Sequence, residues 1–160
     1  MKKRSAARGK HSIKRSERKR GKREIAEPPE QRLPVGLVAT VERVVEHRNT
    51  IQAFDPNLPA VFSTPAMIGL MEYASVMAVR PQLPRGVITV GTRIEVDHLK
   101  AVPPGATVQA FAKFVKYKGR FLVFDVEARS GEHIIGRGRV FRALVDPQKH
   151  GEKAQARVQP

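Results

Sequence analysis

Residues 61 to 79, VFSTPAMIGLMEYASVMAV, carry apolar side chains on every side of a helical projection. A helix that is hydrophobic all round has to be covered by the rest of the protein over most of its surface. The stretch nevertheless contains one carboxylate, Glu72, near its middle. The pattern predicts a long buried helix that holds an ionisable group, and burying such a group is costly unless it is paired.

The ends of this helix are indicated by residues that start and stop helices. Ser63 or Thr64 can cap the amino terminus, and Pro65 suits the first turn, where a missing N–H group has no consequence. Pro81 and Pro84 cannot continue the helix and therefore end it.

Five further runs have the β-branched content and the alternation that are typical of strands. These runs span residues 35 to 47, 87 to 99, 107 to 117, 120 to 130 and 134 to 145. KG and SGEH, between the last three runs, favour tight hairpins. One strand, one apolar helix and four more strands predict an α+β fold, in which a curved antiparallel sheet wraps around the helix and a second copy of the chain completes the cover.

Composition divides the chain into three parts. We expect a disordered basic tail and Pro-rich linker at residues 1 to 33, one folded domain at 34 to 146, and a polar C-terminal tail at 147 to 160. The chain is long enough for one domain with a real core and too short for two.

The net charge of +15 is concentrated in the tail. Residues 1 to 24 contain twelve Lys or Arg against two Glu, a balance of +10. A solvated arm that aids solubility is the simpler interpretation of this segment. Unspecific binding to nucleic acid or to anionic lipid is the alternative, and the absence of interleaved aromatic residues argues against base stacking.

Several classes of chemistry are disfavoured by what the sequence lacks. The chain has no cysteine, which excludes disulfides and thiolate sites and fits a reducing compartment. His47, His133 and His150 are scattered without ligand spacing, so we expect no metal and no cofactor. No apolar run is long enough for a membrane span and no signal peptide is evident, which predicts a cytoplasmic protein.

A second inward polar residue is indicated in the run from 87 to 99. Its even positions are mostly apolar, whereas positions 93, 95 and 97 are charged. Since side chains alternate across a strand, His98 should lie on the apolar inner face together with Ile94, Val96 and the other even positions, which start at Ile88. A lone inward histidine is usually a core residue, but an inward histidine in a domain that also buries Glu72 is a candidate for catalysis.

Thr64 is the third candidate. Besides capping the helix, its hydroxyl would lie where free N–H groups favour negative charge. Thr64 and Glu72 are about 80° apart around the helix axis but about 12 Å apart along it, which excludes a direct hydrogen bond within one straight helix. Either His98 bridges them, with Glu72 leaning toward the amino terminus, or a second subunit supplies one partner.

Three stretches carry a resemblance to a known family: VFSTPAMIGLMEYA, VGTRIEVDHLKAVPPG and GRGRVFRALV. Together with the order of elements, they make residues 35 to 146 similar to the hot-dog fold thioesterases, and most similar to the fluoroacetyl-CoA thioesterase family. The resemblance implies an acyl-CoA thioesterase that acts as a homodimer, with coenzyme A present only as part of the substrate.

The resemblance also implies roles for individual residues. Thr64, Glu72 and His98 match the catalytic residues of the family. Gly91 matches the glycine beside the thioester carbonyl, and Arg142 matches an arginine in the substrate region. A further position, Leu58, stands where the fluoroacetyl-specific enzyme has a gating phenylalanine, so the resemblance implies a substrate with a short or small acyl group without specifying fluoroacetyl.

These residues suggest a mechanism. Glu72 can orient His98, and His98 can take a proton from Thr64 or from water, so that the resulting nucleophile attacks the thioester. Whether Thr64 is acylated or positions water is left open by the spacing. Two other functions are a non-catalytic acyl-CoA-binding module with the same fold and a nucleic-acid-associated protein that acts through its basic tail.

Overall fold

The computed structural model describes residues 33 to 158, which fold as an α+β unit. The basic segment predicted at residues 1 to 24 lies outside the described residues. The regular elements are β1 (Val38–Val44), α1 (Thr64–Val79), β2 (Ile88–His98), β3 (Thr107–Lys118), β4 (Phe121–Ser130), β5 (His133–Val145) and α2 (Pro147–Gln155). The predicted irregular connection before α1 contains two short 3-10 turns, His47–Asn49 and Ile51–Ala53.

The five strands form one antiparallel sheet in the order β1-β3-β4-β5-β2. The hairpins β3-β4 and β4-β5 follow the tight turns that the sequence predicts, because Gly119 and Gly131 supply the positive φ angles that such turns need. β1 and β2 are the two edges. An edge strand presents backbone N–H and C=O groups that are free to pair with another strand, and β2 does so next to the candidate site.

Helix α1 packs with one side on the sheet. Its buried side chains are mostly apolar and contact the core: Met67, Leu70, Met71, Ala74, Ser75, Ala78 and Val79. The opposite side remains accessible in a single chain, where Gly69 and Tyr73 are exposed and Ile68 and Val76 are half-buried. One sheet therefore covers only part of the all-round apolar helix that the sequence predicts.

The structure shows which of the two hydroxyls, Ser63 or Thr64, caps the amino terminus of α1. Ser63 is the N-cap, and its Oγ accepts a hydrogen bond from the Ala66 N–H at 3.3 Å. Pro65 lies in the first turn, as expected. Because Ser63 takes the capping role, the Thr64 hydroxyl is available for another partner.

A β-bulge at Thr92 reverses the alternation of β2. Gly91 pairs with Arg142 and Arg93 pairs with Phe141, so Thr92 is an extra residue between them. Before the bulge, Thr89 is the buried position at 7% exposure. The prediction that Ile88 lies inside is wrong, since Ile88 is 43% exposed.

The two ends of the described chain differ in how they contact the domain. Leu33, the last residue of the predicted linker, is buried in the core, and its N–H donates to the Tyr117 hydroxyl at 2.8 Å. At the other end, the predicted polar tail forms α2, which starts at an Asp146 cap and has no buried residue.

We expect the basic segment to be dispensable for folding. Deletion of residues 1 to 30 should leave the melting temperature within about 2 °C of the full chain and the rate of hydrolysis within about twofold, because the segment has few apolar residues and the first described core residue is Leu33. Differential scanning calorimetry and steady-state kinetics test this. A deletion that also removes Leu33 is the matched control and should lower the melting temperature.

Candidate active site

The first part of the site joins the start of α1 to the end of β2. Thr64 is the first residue of the helix and His98 is the last residue of the strand. Thr64 Oγ1 lies 2.8 Å from His98 Nδ1, a short hydrogen bond. When the ring hydrogen is on Nε2, Nδ1 accepts this bond from the hydroxyl. The pair has the geometry in which an imidazole removes a proton from a hydroxyl nucleophile.

The other ring nitrogen of His98 is unusual. Nε2 is buried and has no hydrogen-bond partner among residues 33 to 158. Buried polar atoms are nearly always paired, and the exceptions are often associated with function. The predicted inward orientation of His98 agrees with its contact to α1.

The second part of the site is an ion pair between α1 and β5. Arg142 Nη1 donates to Glu72 Oε1 at 2.9 Å. The Arg142 side chain is nearly fully buried, and that of Glu72 is 31% exposed. Such a charge-assisted bond is stronger than a neutral one. The carboxylate inside the apolar helix is therefore stabilised by a cation from the sheet.

Gly91 makes room for this ion pair. Gly91 lies directly opposite Arg142 in the β2-β5 ladder, and residues paired in this way direct their side chains to the same face. A Cβ atom at Gly91 would overlap Glu72 Oε1 and would lie 3.7 Å from Arg142 Nη1. The missing side chain is thus the space into which the carboxylate fits.

Thr89 contacts the rest of the guanidinium. Arg142 Nε donates to Thr89 Oγ1 at 3.0 Å, and Nη2 donates to the Thr89 carbonyl oxygen at 2.9 Å. Burial lowers the pKa of Arg142 from its ordinary value, whereas the charge and the hydrogen bond of Glu72 raise it. Arg142 is held by β2 on one side and by the helix carboxylate on the other.

Beside the ion pair is an open groove of about 430 Å³, lined by Glu72, Gly91, Thr92, Arg93 and Ile94. The groove lies along the outer edge of the sheet, because β2 is an edge strand. Its lining is mostly polar, with Ile94 as the one large apolar side chain beside two charged residues.

The structure thus arranges the predicted site residues in two groups. Thr64 contacts His98, and Glu72 contacts Arg142 beside Gly91. Within the described part of one chain, no hydrogen bond joins His98 to Glu72. Leu58 lies in the loop before α1 and is 41% exposed.

One residue of the site was missed by the sequence reasoning. In a regular strand, alternation would place Thr89, an odd position, on the outer face with positions 93, 95 and 97. Gly91 was the available signal, since a glycine inside a strand often marks a bulge. As for metals, the described residues contain no cluster of three His, Cys, Asp or Glu side chains that could hold an ion.

Comparison with solved structures identifies the class of the protein. A solved structure of the fluoroacetyl-CoA thioesterase superposes with a TM-score of 0.74 at 35% identity, covering 81% of this chain and all (100%) of that one. A hot-dog-like protein from Thermanaerovibrio acidaminovorans has the same fold, with a TM-score of 0.72 at 23% identity over 79% of this chain and 94% of its own. The protein is a hot-dog fold thioesterase, which confirms the predicted fold and enzyme class.

The sequence comparisons give the family within this class. Residues 45–148 match the model of the fluoroacetyl-CoA-specific thioesterase family. The fluoroacetyl-CoA thioesterase of Streptantibioticus cattleyicolor is 38% identical over 130 residues, which cover 78% of this chain and 94% of the relative. The chain belongs to the fluoroacetyl-CoA-specific thioesterase family, as its resemblance implied.

The steric fit at Gly91 leads to a prediction. Gly91→Ala should lower kcat for acyl-CoA hydrolysis by roughly 10²-fold, because the new methyl group displaces the Glu72 carboxylate and small displacements in an active site have effects of this size. Gly151→Ala is the matched control, since a Cβ there meets nothing within 4 Å. Unchanged kinetics in a folded Gly91→Ala variant would show that the position of the carboxylate is unimportant.

Proposed function

We propose that the protein hydrolyses an acyl-CoA with a short acyl group, using Thr64, His98 and Glu72 at a site shared between two copies of the chain. The observation that carries this proposal is the 2.8 Å bond from Thr64 to His98 at the start of the apolar helix, in a chain of this family. This pair supplies a hydroxyl and a base in contact, which thioester hydrolysis requires.

The reaction follows from these groups. His98 Nδ1 takes a proton from the Thr64 hydroxyl, or from a water held by it, and the oxygen attacks the thioester carbonyl. The C–S bond then breaks, and the protonated imidazole returns a proton to the departing CoA sulfur. If Thr64 becomes acylated, a second cycle with water releases the acid. Backbone N–H groups near Gly91 or at the start of α1 would stabilise the oxyanion.

The distance between Glu72 and the Thr64–His98 pair supports a site that is shared between two chains. Thr64 and Glu72 are about 12 Å apart along α1. Gly91 and His98 are seven residues apart on β2, or about 23 Å. Pairing β2 with its own copy in antiparallel fashion directs the Gly91 end of one strand toward the His98 end of the other. In this arrangement, Glu72 of one chain and the Thr64–His98 pair of the second contribute to one site.

Surface apolar groups support the homodimer as well. Tyr73 on α1 is 49% exposed, and Ile94 on β2 also has an exposed apolar side chain. A two-fold interface buries the same patch on both copies and continues the sheet across the free edge of β2. The predicted cover of the helix by a second chain would then be complete.

A small acyl group is supported by the relatives, which are named for fluoroacetyl-CoA. We propose a small acyl group without restriction to the fluorinated one. Within residues 33 to 158 no helix is long and apolar enough to cross a membrane. A cytoplasmic location, where acyl-CoA is made and used, is part of the proposal.

A panel of acyl-CoA esters tests the function directly. Release of free thiol from acetyl-, fluoroacetyl-, propionyl- and longer acyl-CoA should be fastest for the short chains, and His98→Ala should lower its rate by about 10³-fold. Binding of acyl-CoA without turnover of any ester would instead indicate a non-catalytic binding module.

The basic segment supports a second, separate proposal. Residues 1 to 24, with a balance of +10, can bind nucleic acid unspecifically through phosphate contacts. Such binding should weaken steeply with salt and disappear when residues 1 to 30 are deleted. Binding that persists in the deleted chain would contradict it.

A further inference from the structure

We propose that Thr89 is a positioning residue for hydrolysis: its hydroxyl holds the Arg142 guanidinium in the one orientation that keeps the Glu72 carboxylate beside Gly91. The inference rests on the proposed function. It gives Thr89 a role that requires no contact with the substrate or with the reacting atoms.

The geometry of the guanidinium is the basis of the proposal. A guanidinium is planar and its N–H groups point in fixed directions, so two bonds to one partner fix its plane. Thr89 provides both bonds, through Oγ1 at 3.0 Å to Nε and through its carbonyl oxygen at 2.9 Å to Nη2. The remaining nitrogen, Nη1, then points at Glu72 Oε1.

Burial makes the hydroxyl bond important. Thr89 and Arg142 are only 7% and 5% exposed, so water is a poor substitute for a lost acceptor. Without the hydroxyl, the Nε–H group is left unpaired in a buried place, which is unfavourable. The guanidinium can satisfy Nε only by turning, and because Nη1 is bonded to Glu72, turning moves the carboxylate.

The β-bulge explains how Thr89 comes to face this cluster. The extra residue at Thr92 reverses the alternation, so Thr89 lies on the inner face before the bulge and His98 lies on the inner face after it. A regular strand would direct only one of these two side chains inward, because they are nine residues apart and odd and even positions face opposite sides.

Hydroxyl-free and hydroxyl-retaining variants separate this role from packing. Thr89→Val keeps the branched shape and the backbone carbonyl bond but loses Oγ1, and Thr89→Ser keeps the hydroxyl. We expect Thr89→Val to lower kcat by about tenfold with KM within about twofold. We expect Thr89→Ser to stay within about threefold of the parent in kcat.

A double-mutant cycle tests whether Thr89 acts through the carboxylate. In a Glu72→Gln background, Thr89→Val should lower the residual kcat by less than about twofold, because the charged group that Thr89 positions is already gone. Equal losses in both backgrounds, or a Thr89→Ser variant as slow as Thr89→Val, would overturn the proposal. Thr89→Ala is the second hydroxyl-free variant, and if neither folds, the hydroxyl serves stability and the proposal fails.

A measurement independent of turnover distinguishes this proposal from the proposed function. In the parent protein, the Arg142 Nε–H should give a protected resonance in ¹H–¹⁵N spectra that Thr89→Ser retains and Thr89→Val loses. If the parent hydrolyses no acyl-CoA, the proposed function fails. If the parent lacks this protected resonance, Thr89 does not hold the guanidinium and the positioning role fails. A Thr89→Val variant that keeps the resonance would overturn the positioning role alone.

Discussion

His98→Ala will lower kcat for acyl-CoA hydrolysis by about 10³-fold, since removal of a general base typically costs 10²- to 10⁴-fold. The imidazole is the only group of the described residues bonded to the Thr64 hydroxyl, so the variant leaves the nucleophile without a base. Stopped assays of thiol release measure the effect. His133→Ala is the matched control, because His133 is exposed at the start of β5 and should have kcat within about twofold of the parent.

Substituting Thr64 alone and together with His98 tests whether the two residues act as one catalytic unit. Thr64→Ala should be almost as slow as His98→Ala, and the double variant should be no slower than the worse single one, because the two groups perform one proton transfer. Losses that multiply in the double variant would show that the residues act independently and would contradict the pair as the catalytic unit.

Glu72→Gln will lower kcat by about 10²-fold, the second largest effect that we expect. The amide oxygen can still accept the bond from Arg142, so the change removes charge and keeps shape. The melting temperature should fall by only a few degrees, because a neutral bond replaces a charge-assisted one next to a buried cation. Kinetics and calorimetry on the same preparation separate the two effects.

A second ion pair on the same sheet supplies the control. Glu127 pairs with Arg129 at 2.6 Å on the exposed surface, where such pairs contribute little. Glu127→Gln should therefore leave both kcat and melting temperature nearly unchanged. If Glu72→Gln behaves in the same way, Glu72 is only a buried partner of Arg142 and has no part in catalysis.

The helix and the strands could be predicted because each is marked locally. The run of apolar residues with Ser63 and Pro65 at its start defines α1, and glycine turns separate β3, β4 and β5. The direction of His98 was also predictable, since alternation is regular between the bulge and the end of β2. The cover of the helix was predictable only on the side that packs against the sheet, because the other side stays accessible within one chain.

The partner of Glu72 could not be derived in this way. Arg142 is 70 residues away in the sequence, and only the packing of α1 against β5 brings the two together. The inward position of Thr89 could not be predicted for a different reason. The extra residue at Thr92 reverses the alternation of β2, so Thr89 lies on the inner face. Local patterns predict elements, whereas such contacts depend on the register of the sheet.

Mixing two inactive chains tests the shared site most directly. Co-expressed Glu72→Gln and His98→Ala chains with different tags can be purified as mixed dimers, in which one of the two sites combines Glu72 of one chain with Thr64 and His98 of the other. We predict that these mixed dimers recover about half of the parent activity per dimer, while each variant alone stays roughly 10²-fold or more below the parent. Mixed dimers that stay as inactive as the separate variants would contradict a site built from two copies of the chain.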